Sequence, residues 1–92
     1  MRITEVKIVP LNEERLRAYV SITFDDCFVV SEIQLIRVKK GYVVRMPGRK
    51  RRNGKHIDIF VPLNNETRQM IEEKVFEAYR MFAGEPDARP SR

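Results

Sequence analysis

The sequence predicts an α+β fold, an antiparallel β-sheet of about five strands followed by one C-terminal amphipathic α-helix. Three observations carry it. Residues 16–24 alternate cleanly, with Leu16, Ala18, Val20, Ile22 and Phe24 on one side and Arg17, Tyr19, Ser21 and Thr23 on the other. Period two over this length is the signature of a half-buried strand. Beyond Pro62 the period changes. Thr67, Ile71, Val75, Ala78 and Phe82 recur every three or four residues, as one face of a helix does. The apolar segments are separated by short polar or glycine-containing breaks, the chemistry of tight turns between antiparallel neighbours.

The elements follow in order. Residues 2–9 alternate loosely through Ile3, Val6 and Ile8 and stop at Pro10, a first strand. Asn12-Glu13-Glu14 turns the chain into the second, and Asp25-Asp26 turns it into a third over 27–38. The phase of this third strand slips, because Phe28 and Val30 share one parity while Ile33 and Leu35 share the other. A bulge near Ser31-Glu32 reconciles them. Lys39-Lys40-Gly41 leads into a short fourth strand, Tyr42 to Met46. Asn53-Gly54 predicts a type I′ turn, in which both central residues take positive φ. In the fifth strand Ile57, Ile59 and Val61 alternate with His56, Asp58 and Phe60, and Pro62 ends it.

The helix is expected to start from Asn64 or Asn65, whose side-chain oxygen can accept from an unpaired backbone N–H. Glu66 suits the positive end of the helix dipole, Gly84 fits a left-handed cap, and Pro86 blocks continuation. Its buried face is read as Ile71, Val75, Ala78 and Phe82. Residues 1–84 form one domain, and the tail 85–92, with no apolar anchor, is expected to be disordered. One helix covers little of so many strands. An apolar face or edge left open points to pairing as a homodimer.

Composition narrows the function classes. The 92 residues are 42% hydrophobic and 34% charged, which describes a soluble globular chain. The net charge of +5 favours polyanionic partners. A lone Cys27 excludes an internal disulfide and makes a reducing cytoplasm the expected compartment. The N-terminus has no apolar signal region, and no apolar run approaches the ~20 residues that span a bilayer, so no membrane role is expected.

Catalysis finds little support. The single His and single Cys lie on different strands, and Ser21 and Ser31 have no local base. Cys27 reads as a structural thiol. His56 and Asp58, two apart on one strand, share a side, but a metal site usually needs three or four ligands, so they read as a surface pair. The glycines are dispersed and form no phosphate-binding loop. No enzyme activity, cofactor, metal or small-molecule substrate is therefore expected.

The informative segment is Arg49 to Lys55, which carries five cations and no acid between two apolar segments. A core gains nothing from such charges, and they fit best facing a polyanion. Arg49, Arg51 and Arg52 lead, since the planar guanidinium binds phosphate or guanine bidentately. Lys50 and Lys55 add point charge. On the helix most cations are balanced by Glu residues, but Arg68 lies in the first turn, where the helix N-terminus also favours anions. Tyr42 and Phe60 are read as packed strand residues rather than base-stacking ones.

These residues carry a resemblance that spans nearly all of 1–83. Ala18-Tyr19-Val20-Ser21-Ile22-Thr23-Phe24-Asp25-Asp26, Phe28-Val29-Val30, Met46-Pro47-Gly48-Arg49-Lys50, Gly54, Asp58-Ile59, Pro62 and Thr67-Arg68 stand in order and at matching spacing. The chain resembles the SpoVG family (stage V sporulation protein G), small bacterial regulators whose other name refers to septation, hence to cell division. The resemblance implies a dimeric α+β protein that binds DNA, and RNA as well, and regulates without catalysis. The family's Ser-Lys-Arg falls on Gly48-Arg49-Lys50, so the cationic pair is kept with its types reversed. The family's Ala-His before the proline is Phe60-Val61 here, so any role of that His is lost. Arg51 and Arg52 add local charge, which favours phosphate contact over base reading. Neither sporulation nor septation follows from the resemblance, because the family occurs in bacteria that do not sporulate.

The sequence thus predicts a homodimeric nucleic-acid-binding regulator whose basic hairpin contacts phosphates and bases. The rival is a protein-interaction adaptor, with the cations facing an acidic partner and a sheet edge accepting its strand.

Overall fold

The computed structural model describes residues 2–84, apart from the side chains of His56 and Asp58. The tail 85–92 lies outside the described residues. Four strands form one antiparallel sheet in the order β1 (Ile3–Pro10), β2 (Leu16–Phe24), β3 (Phe28–Val38) and β4 (Gly41–Arg45). A two-stranded ladder of β5 (Gly48–Lys50) and β6 (His56–Asp58) stands apart from it, and α1 (Asn65–Ala83) closes the chain. The α+β class and the strand-to-helix order are as the sequence predicts. The flanks of the basic segment pair with each other instead of lengthening the main sheet.

The alternation of β2 sets the core. Ala18, Val20, Ile22 and Phe24 are fully buried, joined by Ile33 and Leu35 of β3, Tyr42 and Val44 of β4, and Met46 just beyond it. The helix lies over this face with Ile71, Val75, Phe76 and Tyr79, and Tyr79 meets Tyr42 with ring centroids 5.8 Å apart. Each fully buried Val, Leu, Ile or Phe contributes about 1.5–3 kcal/mol relative to exposure.

The phase slip in β3 is resolved as expected. Val20 pairs with Ile33 and Ile22 with Val30, so Ser21 faces two residues, Ser31 and Glu32. Glu32 takes φ 63°, the left-handed region that side chains other than glycine seldom adopt. The bulge turns Ile33 and Leu35 inward while Val29 stays exposed. A type I′ geometry does occur, but at Asp25-Asp26. Their φ values are 50° and 51°, and the Cys27 N–H donates to the Phe24 carbonyl at 2.9 Å. Asp25 Oδ1 also accepts from the Arg2 N–H at 2.7 Å, which ties β1 to this turn. Cys27 itself is exposed in it.

The helix ends match their sequence signals. Asn64 is the N-cap, with Oδ1 accepting from the Thr67 N–H at 2.8 Å. Gly84 takes φ 66° and donates its N–H to the Arg80 carbonyl at 3.0 Å. The buried face is rotated from the expected one. Phe82 is 57% exposed, and Phe76 and Tyr79 take the place assigned to Ala78 and Phe82. The stripe leans towards the two aromatic rings because they bury more apolar area than Ala78 can. The sheet face that one helix was expected to leave open is therefore covered. The apolar exposure lies elsewhere, at Val9, Phe28, Val29, Val43, Ile59, Val61, Leu63, Met81 and Phe82.

Ile71→Ala and Phe76→Ala are each expected to lower stability by about 2–5 kcal/mol, and Phe82→Ala by less than about 1 kcal/mol. Urea unfolding followed by circular dichroism separates the three. A loss at Phe82 equal to that at Phe76 would restore the face read from the sequence.

Candidate nucleic-acid interface

The basic segment becomes a hairpin because its two ends are pinned. Met46 is buried at the start, and the Pro47 carbonyl accepts from both the Ile59 N–H (2.7 Å) and the Phe60 N–H (3.3 Å). Phe60 tucks back towards the core, its ring centroid 6.2 Å from that of Phe24. Between these anchors Gly48 pairs with Asp58, Arg49 with Ile57 and Lys50 with His56. The fifth strand is accordingly three residues long rather than running to Val61. Phe60 turns inward, whereas Ile59 and Val61 are 68% and 53% exposed.

The turn differs from the one expected. The Gly54 N–H donates to the Arg51 carbonyl at 2.9 Å, and the Arg51 N–H donates to the Lys55 carbonyl at 2.8 Å. Arg52 and Asn53 are therefore the central residues, and only Gly54 takes positive φ, at 82°. This is a three-residue loop with a left-handed glycine at its end, a common hairpin closure. Asn53 stabilises it through its side chain, which accepts from the Lys55 N–H at 3.0 Å.

The loop brings Arg49, Lys50, Arg51 and Arg52 around one open concavity with Asn53, and among the described residues no acidic side chain lines it. All four cations are exposed. Lys55 sits on the return limb of the same hairpin, outside that lining. Neighbouring cations about 7 Å apart along a strand repel by only about 0.6 kcal/mol in water. The hairpin tolerates its charge while solvated.

Arg68 is not part of this group. It is half-buried on the first turns of α1 and borders a different hollow, with Arg15 and Arg45. Sequence reading missed Arg15 and Arg45, because nothing in their local context separates them from other surface arginines. Tyr42 is buried against Tyr79, and Phe60, half-buried, packs against the core, so both pack as read from the sequence. The side chains of His56 and Asp58, read as a surface pair, lie outside the described residues.

Comparison with known proteins bears on what such a surface belongs to. The SpoVG family model matches residues 1–81. A "Putative septation protein SpoVG" of Bdellovibrio bacteriovorus is 56% identical over 79 residues, covering 86% of this chain and 73% of the relative. A protein of the same name from Phytoplasma australiense is 47% identical over 87 residues, covering 94% and 91%. One from an Anaeromyxobacter strain is 47% identical over 79 residues, covering 86% and 81%.

Gly54→Ala is expected to destabilise the hairpin locally by about 1–2 kcal/mol, the cost of a left-handed side-chain residue. No atom of the described residues crowds the position, so strain and not collision sets the effect. Hydrogen exchange checks it. The Arg51 amide should lose protection while the amides of β2 and β3 keep theirs.

Proposed function

The chain belongs to the SpoVG family, and from that premise we propose that it is a homodimeric regulator that acts by binding nucleic acid, not by catalysis. The β5–β6 hairpin is the contact, and DNA and RNA are both within its chemistry. The observation that carries this reading is the clustering of Arg49, Lys50, Arg51 and Arg52, in a stretch 49–55 whose sequence has no acid, on a hairpin whose strands pair apart from the main sheet. Guanidinium forks bind phosphate bidentately. A two-stranded β-ribbon also has the dimensions to enter a major groove, where the same forks can meet guanine edges. The excess of cations over base-reading side chains weights the contact towards phosphates.

The homodimer rests on the free edges of β1 and β4 and on the exposed apolar side chains near the sheet ends, Val9, Phe28 and Val29. A twofold axis would present two hairpins to one polymer, which multiplies a modest single contact. The name its relatives carry sets septation as the process to test first. No described helix is long and apolar enough to cross a membrane, and we place the activity in the cytoplasm.

Light scattering at about 100 µM, well above the micromolar dissociation constants of ordinary complexes, is expected to return a dimer mass. A monomer mass would sink the dimer.

Replacing Arg49, Lys50, Arg51 and Arg52 together by Ala is expected to abolish measurable binding to duplex DNA and leave the fold intact. Two hairpins with half their cations engaged make roughly five phosphate contacts, so the wild-type logarithmic salt slope should be about −4 to −5. In the variant it should flatten towards zero. A folded variant with wild-type affinity and slope would move the interface away from the hairpin. Salt-insensitive capture of one acidic protein, with no polymer binding, would favour the adaptor role.

A further inference from the structure

The hollow beside Arg68 has a chemistry of its own. It lies at the β3–β4 end of the sheet, with a volume of about 410 Å³, within the range of about 300–1,000 Å³ that small-ligand sites occupy. Three arginines border it, from three separate places in the chain: Arg15 before β2, Arg45 at the end of β4, and Arg68 on α1. Among the described residues no acidic side chain lines it. Its remaining walls are apolar, and Ile36, Val38 and Val43 are the ones not sealed in the core. The framework is rigid. Ile36 pairs with Val43 and also with Leu16, and the Arg37 N–H donates to the Arg15 carbonyl at 2.6 Å. Arg37 and Lys39 stand with Arg15 around the adjoining hollow, which also holds Glu14.

Cations over an apolar floor answer a ligand with an anion on one side and a flat apolar face on the other. A bare phosphate leaves the floor unused, and a lipid tail leaves the arginines unused. A nucleotide uses both, its phosphate on the guanidinium forks and its base against the aliphatic side chains. We propose that the hollow bounded by Arg15, Arg45 and Arg68 over Ile36, Val38 and Val43 is a nucleotide-binding site separate from the hairpin. Two sources share this chemistry, an unstacked nucleotide of a single strand and a free nucleotide. A duplex does not supply it, because its bases are stacked out of reach. Arg45 precedes Arg49 by four residues, at most about 14 Å of extended chain. One strand can therefore pass from the hairpin to the hollow. In that form the site rests on the hairpin reading, whereas the nucleotide contact itself does not.

The test uses the full chain. In an NMR titration, adenosine monophosphate is expected to shift the methyl signals of Ile36, Val38 and Val43 and the arginine side-chain signals of Arg15, Arg45 and Arg68. Inorganic phosphate at equal concentration should shift only the arginines. Arg15→Ala/Arg45→Ala, both exposed positions, should erase the adenosine monophosphate response, and Val43→Asp should do the same by charge. The double variant should weaken binding of a 12-nucleotide single strand about tenfold or more and leave the matching duplex within about threefold. A retained single-strand affinity together with a lost adenosine monophosphate response would assign the site to a free nucleotide. A hairpin variant that loses both polymers yet keeps the adenosine monophosphate response leaves this site standing. If that variant instead keeps both polymers, the hairpin reading fails alone. Absence of methyl shifts, or equal weakening of single strand and duplex by the double variant, overturns the nucleotide site.

Discussion

The molecule depends on burying one side of a four-stranded sheet under one helix. Ala18, Val20, Ile22 and Phe24 project from β2 at every second position, and none of them keeps solvent exposure. Their burial, with Ile33 and Leu35 from β3 and Ile71, Val75, Phe76 and Tyr79 from the helix, is the main source of folding energy available to so short a chain. The helix must begin and end where it covers that face. The Asn64 cap and the left-handed Gly84 fix its two limits, and each satisfies backbone groups that would otherwise lack partners. With the core on one side only, the exposed cations are distributed over the remaining surface.

Register carries this constraint to the site. The bulge at Ser31-Glu32 shifts β3 by one residue, so the same strand exposes Val29 and buries Ile33. Left-handed geometry at Glu32 costs roughly 1–2 kcal/mol, less than burying the two large side chains it turns inward contributes. The Pro47 carbonyl plays the corresponding part at the hairpin base, where it accepts from Ile59 and Phe60 and returns the chain to the core through the Phe60 ring. The hairpin between can then carry charge without disturbing packing. Its cations are outside the core, and its repulsion is screened over about 8 Å at physiological salt.

Two cationic surfaces result, and they differ in kind. The hairpin offers consecutive cations on a narrow ribbon, suited to a line of phosphates. The hollow beside Arg68 offers cations from distant parts of the chain over aliphatic side chains, suited to a unit with a charged and a flat part. Their closeness follows from the two-residue connection between β4 and β5.

Local pattern alone determined much of this. The strict alternation of 16–24, the slip between Val30 and Ile33, the caps at Asn64 and Gly84 and the acid-free stretch 49–55 are each legible in a window of a few residues, because period, turn chemistry and capping are local effects. The family was legible too, from motifs held at fixed spacing. The tertiary structure decided what depends on competition between distant groups. Phe76 and Tyr79 displaced Phe82 from the core because their partners lie on the sheet, as Tyr42 does for Tyr79. The left-handed turn pair settled at Asp25-Asp26 and not at Asn53-Gly54, because the pairing of Arg51 with Lys55 leaves three residues in the loop. Ile59 and Val61 face solvent because the Pro47 carbonyl ends the ladder one residue after Asp58. Arg15, Arg45 and Arg68 are too far apart in sequence for any local pattern to relate them, and only the strand order and the seat of the helix bring them to one hollow.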